Sequence, residues 1–144
     1  MPVSLNALIE REVRDMGTYK GGADHYHRIS ENISRVKADY DLHDGLFGER
    51  GKGGSRTIRN IASDDPSATA KDFYDKLAHG GIEKPLFKKD GTPNGWETKM
   101  ADGSIINWRP VSSSSDKSPA VDIFISAKDK NGEITTQKIH FVKR

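Results

Sequence analysis

Cysteine is absent from all 144 residues. Disulfides, thiolate metal sites and cysteine nucleophiles are thereby excluded together, while nothing follows about the compartment. Aromatic residues make up only 8% of the chain and hydrophobic residues 33%, so the buried core has to be modest. No apolar run approaches the length of a membrane span. The N-terminal MPVSLNALIEREVRDMG has no basic region followed by a long apolar stretch and does not read as a signal peptide; an export address, if there is one, is expected on sequence outside these residues. A strong charge of one sign is missing too. With 23 Lys and Arg against 21 Asp and Glu the net charge is +2, so contact with a polyanion depends on local clustering of cations rather than on bulk charge.

What is present is a change of period along the chain. Ser4 can cap a first helix carrying Leu5, Leu8, Ile9, Val13 and Met16, with Gly17 as its stop. A second helix is expected from near Asp24, with Tyr26, Ile29, Ile33, Val36 and Tyr40 as its apolar stripe. Residues 45–55, GLFGERGKGGS, hold five glycines and read as a flexible linker. Asp64 or Asp65 can cap a third helix, Pro66 suits its first turn, Ala70, Phe73, Tyr74 and Leu77 form one face, and Gly80 and Gly81 end it. From there the pattern alternates. Residues 95–101 and 104–111 read as a hairpin about a two-residue Asp102-Gly103 turn, residues 120–126 as a third strand and residues 134–142 as a fourth, with Asn131-Gly132 between the last two. The expected fold is α+β: N-terminal helices followed by a four-stranded antiparallel sheet with a helix packed on one face. Residues 1–54 read as a helical segment with a glycine-rich linker, and residues 55–144 as the α+β domain.

Alternation also assigns faces. Ile106, Trp108, Val121, Ile123, Ile125, Ile139 and Phe141 should pack beneath the third helix with Phe73 and Leu77. Asn107, Arg109, Asp122, Phe124, Thr136, Lys138 and His140 then gather on the uncovered face. Solvation alone accounts for Arg, Lys, Thr and Asn on an open antiparallel sheet; the added imidazole is what suggests chemistry. RNA can be cleaved without a metal when a base takes the 2′-hydroxyl proton, an acid serves the leaving oxygen and cations hold the phosphorane. Histidine titrates near neutrality, and the Arg fork can hold two phosphate oxygens. His140 is the candidate acid or base, Arg109 and Lys138 the phosphate-holding cations, and Ser113 and Thr136 orienting donors. Phe124 or Trp108 can stack a base, and Asn107, Lys76 and Lys143 complete the expected RNA contacts. His79, three residues from Lys76, reads either as a histidine at a helix C-terminus or as a second acid–base group. No metal or other cofactor is expected. His25 and His27 are two apart and would not face one ion from a helix. GERGKGGS lacks the spacing of a phosphate loop, and no strand–Ser–helix elbow surrounds residues 112–115.

The segments SRTIRNIASDDPSATAKDFYDKLAHGG, DGSIINWRPVSSSSDKSPAVDIFI and TTQKIHFVKR together resemble C-terminal toxin domains of bacterial polymorphic toxins, such as those ending contact-dependent inhibition and LXG proteins. That family is similar to the barnase–EndoU–colicin–RelE superfold. The resemblance covers about ninety residues. It implies a metal-independent ribonuclease directed at tRNA and a cognate immunity protein. It also implies delivery from a larger secreted or surface protein into the target-cell cytoplasm, and a monomer apart from the immunity complex. An alternative is a toxin or interaction module that binds a cytosolic protein without catalysis.

Overall fold

The computed structural model describes residues 26–51, 54–126 and 133–144. The expected helix around Leu5 to Met16 and the Asn131-Gly132 turn lie outside them. The stripe from Ile29 to Val36 does form helix, as a 3-10 turn Ile29–Asn32 running into a short α1, Ile33–Lys37. Ile29, Ile33 and Val36 are all buried. The second helix α2, Pro66–Leu77, starts as its sequence requires: Asp65 accepts from the Ala68 N–H at 3.2 Å, and Pro66 occupies the first turn.

Nine strands follow from the described residues: β1 Leu42–His43, β2 Leu46–Phe47, β3 Glu49–Arg50, β4 Ile58–Ser63, β5 Ile82–Phe87, β6 Pro93–Lys99, β7 Ile105–Arg109, β8 Ala120–Phe124 and β9 Gln137–Lys143. β1 and β2 form a separate hairpin, and the other seven make one sheet in the order β3-β4-β9-β8-β7-β6-β5. β4 runs parallel to β9, and every other pairing is antiparallel. The expected four-stranded antiparallel sheet behind N-terminal helices is therefore corrected to a seven-stranded mixed sheet, with α2 as its main helix. The four anticipated strands are present as β6 to β9.

The three additional strands escape the alternation rule for physical reasons. In β4, IRNIAS, Ile61 packs on the core while Ile58 stays exposed on the opposite face, so the apolar period is not two. β5, IEKPLF, carries Pro85, which a strand tolerates at a sheet edge. The stretch read as a linker holds β2 and β3; Asp44 and Gly45, both at positive φ, form the two-residue turn of the β1–β2 hairpin. The Asp102-Gly103 turn differs as well. Gly103 N–H donates to Met100 O at 2.9 Å and Met100 N–H to Ser104 O at 2.8 Å, which makes a three-residue connection with only Gly103 at positive φ.

One core lies between α2 and the sheet. Phe73 stands at its centre, with ring centroids 5.1 Å from Tyr40, 5.1 Å from Phe47 and 5.7 Å from Phe141. Ile106, Val121, Ile123, Ile139 and Phe141 are fully buried beneath it, and Trp108 and Ile125 partly so. Buried polar side chains fasten the preceding segment to this core. Asn32 donates to Leu77 O and His79 O at the end of α2, at 2.8 and 2.7 Å. The Asp102 carboxylate accepts from the N–H groups of Ile29 and Ser104. Gln137 donates to Gly45 O and Thr135 O while accepting from Phe47 N–H. Each satisfies backbone groups whose burial would otherwise be costly.

Candidate functional site

The register fixes what shares the uncovered face. Arg109, Ala120, His140 and Asn60 are consecutive cross-strand partners over β7, β8, β9 and β4. One step along, Asn107, Asp122, Lys138 and Ile58 form the next row. Phe124 lies beyond, at the end of β8 opposite Ile105. Alternation thus places Asn107, Arg109, Phe124, Thr136, Lys138 and His140 together, on the side of the sheet opposite α2. Arg109 and His140 are two strands apart, roughly 9–10 Å between backbones. Ala120 between them is small and fully buried.

Arg109 grips Asp122 through two parallel hydrogen bonds, Nε to Oδ2 at 2.8 Å and Nη2 to Oδ1 at 3.1 Å. The pair is largely shielded, with side-chain exposures of 19% and 8%. Lys138, although it faces Asp122 in register, makes no ion pair with any described residue. Asp122 thus neutralises one cation and leaves the other available. His140 is half-buried; desolvation, then the charges of Lys138 and Arg109, hold its imidazole below the ordinary histidine value, against an opposing pull from Asp116 and Asp122.

Asp116 belongs to the serine-rich loop, which is ordered by its own hydrogen bonds. Ser112 N–H donates to Ser118 O, Ser118 N–H to Asp116 Oδ1, and Ser114 Oγ to Asp116 Oδ1 at 2.6 Å. The Ser114 and Ser118 donors bring the Asp116 carboxyl down to about 2, so it stays ionised beside His140. Ser113 is exposed on this loop. Thr136 is exposed and accepts from Ile125 N–H at 2.9 Å. A shallow depression of about 150 Å³ opens next to Lys138, lined by Thr57, Ile58, Asp122, Phe124 and Thr136.

Three sequence candidates lie elsewhere. Lys76, on α2, is bound to Asp39 and Asp72 and sits 5.9 Å from the Tyr40 ring centroid. His79 follows α2 and meets the His27 ring edge-on at 5.1 Å. Burial, with Arg35 and His27 nearby, lowers its pKa. α2 packs on the face of Ile139 and Phe141, so neither residue joins His140. Lys143 donates to Asp64 O at 2.7 Å, just ahead of α2. Conversely, Thr57, Ile58, Asn60 and Asp116 flank the site without having been singled out. The first three depend on β4 lying beside β9, which no short-range signal announces. Asp116 carried one usable signal, an aspartate among serines able to hydrogen-bond its own loop.

Fold and site together define an α+β protein with a helix on one face of a mixed sheet and a cation-lined histidine on the other. No family model, curated protein or solved structure matches the chain. Among the described residues no helix is long and apolar enough to cross a membrane.

Proposed function

We propose that the protein is an antibacterial toxin domain that cleaves RNA without a metal, with tRNA as its substrate. The observation carrying this reading is His140, half-buried and depressed in pKa, on the sheet face opposite α2, with Lys138 two residues along β9 and Arg109 two strands across. A depressed imidazole is neutral at physiological pH and can accept a proton. His140 takes the 2′-hydroxyl proton, the O2′–phosphorus bond forms, and the phosphorus–O5′ bond breaks. The products are a 2′,3′-cyclic phosphate and a 5′-hydroxyl, whose proton returns from the imidazolium or from water. Lys138 and the N–H groups of Arg109 not bound to Asp122 stabilise the phosphorane, Asp122 keeps the guanidinium oriented, and Thr136 and Ser113 are the hydroxyl donors at the rim. A cationic site of this kind suits an immunity protein with an acidic surface, since complementary charge speeds association. Delivery from a larger bacterial protein into a target cytoplasm, and a monomeric state outside that complex, belong to the same reading.

Expression inside bacteria without an inhibitor, followed by inspection of total RNA, tests it. Discrete tRNA fragments ending in cyclic phosphate, and formed in the presence of chelator, support cleavage. Growth arrest with intact RNA would replace it by binding to a protein target, for which exposed Phe124 and Ile58 offer an apolar contact. An absence of toxicity would remove both.

A further inference from the structure

Phe124 and Ile58 are 47% and 39% exposed, unusual for large apolar side chains beside a charged site. They flank the depression next to Lys138, and we infer that this depression is a nucleobase subsite selective for pyrimidines over purines. The inference rests on the cleavage reading for its place beside the scissile phosphate.

Position comes first. His140, Lys138 and Thr136 project from one face of β9 and its leading residue, roughly 6.6 Å apart at each step. A single strand laid along β9 with its phosphate at His140 and Lys138 brings the adjoining base over Thr136 and Phe124. The Phe124 ring provides a stacking surface that any base can use.

Size and polarity then narrow the choice. A cavity of about 150 Å³ is half the lower limit of roughly 300 Å³ for ordinary small-molecule sites; it suits one ring better than two. Two threonines, Thr57 and Thr136, line the depression, and their hydroxyls can donate to a pyrimidine carbonyl. The Thr136 hydroxyl accepts from Ile125 N–H and keeps its own proton to donate to a base carbonyl, while the Lys138 ammonium stays with the phosphate. The Asp122 oxygens are both engaged by Arg109, so they are poorly placed to receive the ring N–H and amino group of guanine.

The test uses uncleavable 2′-O-methyl octanucleotides, all-uridine and all-adenosine, titrated by fluorescence anisotropy at fixed salt. Stacking alone does not favour uridine, so tighter binding of the uridine strand by several-fold is the informative result. Phe124→Ala should weaken uridine binding by roughly tenfold or more and erase the preference, while Phe124→Trp retains it. Equal or tighter binding of the adenosine strand, no effect of Phe124→Ala, or no binding of either strand would overturn the inference. The two readings fail separately. Uridine preference without cleavage of RNA removes catalysis and keeps the subsite; cleavage without preference does the reverse.

Discussion

His140 owes its state to its neighbours on two strands. Were it a surface histidine it would be about half protonated near pH 6.5; burial and the adjacent cations shift that ionisation downward. The dependence of kcat/KM on pH should therefore rise through a midpoint below about 6.5 and level off before neutrality. His140→Ala should lower the rate by about 10²–10⁴-fold with little change in thermal stability. A midpoint above the ordinary histidine value would contradict a desolvated base. Arg109 plays a different part. Its removal strands the Asp122 carboxylate, only 8% exposed. Breaking a fully buried pair costs about 3–5 kcal/mol, and this partly exposed one should lose less. Arg109→Ala should thus lower stability as well as activity. Arg109→Ala/Asp122→Ala should recover part of the stability and none of the activity, which denaturant unfolding and cleavage assays on the same samples would separate.

Among the elements, β9 joins the most functions. One face supplies Ile139 and Phe141 to the core, the other supplies Lys138 and His140 to the site, and its first residue, Gln137, holds the β1–β2 hairpin in place. Gln137→Ala takes the Gln137 side chain from Phe47 N–H and Thr135 O, while Gly45 O keeps its bond from Thr135 N–H; the cost is about 1–3 kcal/mol for each group that stays buried and unpaired. Urea unfolding should register the loss as a lowered midpoint, and hydrogen exchange should show the Phe47 amide opening first. Exchange at Phe47 as slow as in the parent would contradict a fastening role. The alternation of β9 was legible because it buries one face and partly wets the other; β8 alternates in residue type, although Ala120 and Asp122 on its second face are buried as well. α2 was legible because its cap, proline and apolar face agree. β4 and β5 were not, since one exposes an isoleucine and the other contains a proline. Hence the face of His140 could be read from the sequence, and its β4 neighbours could not. Nor could the Arg109–Asp122 grip, since alternation gives the face but not which charges pair. Lys76 and His79 are spaced for one helix face, yet α2 ends at Leu77, and nothing in their spacing revealed that the helix covers the opposite side of the sheet.

At the scale of the molecule, the depressed imidazoles of His79 and His140 tie stability to pH. Both have folded pKa values below their unfolded ones, chiefly through burial. The unfolded chain therefore binds more protons in that range, and stability falls as pH drops from about 6.5. Asp116 adds a second decline at lower pH, between its unfolded value of about 3.9 and its folded value of about 2. Melting temperatures should be level above neutrality and fall from pH 7 to pH 5, and the double substitution His79→Asn/His140→Asn should flatten that first step. A melting temperature that rises on acidification would contradict the linkage.

The position of β9 between β4 and β8 has a kinetic consequence. Until β9 arrives, β3 and β4 have no strand joining them to β8, β7, β6 and β5, so the preceding chain forms two incomplete sheets that share no edge. Docking β9 pairs Ile58 with Lys138 and Ala120 with His140, closing widely separated contacts late, as expected for a slow, non-local topology. The same event that completes the core places the imidazole and its cation on the open face, so partly folded chains lacking β9 also lack the site.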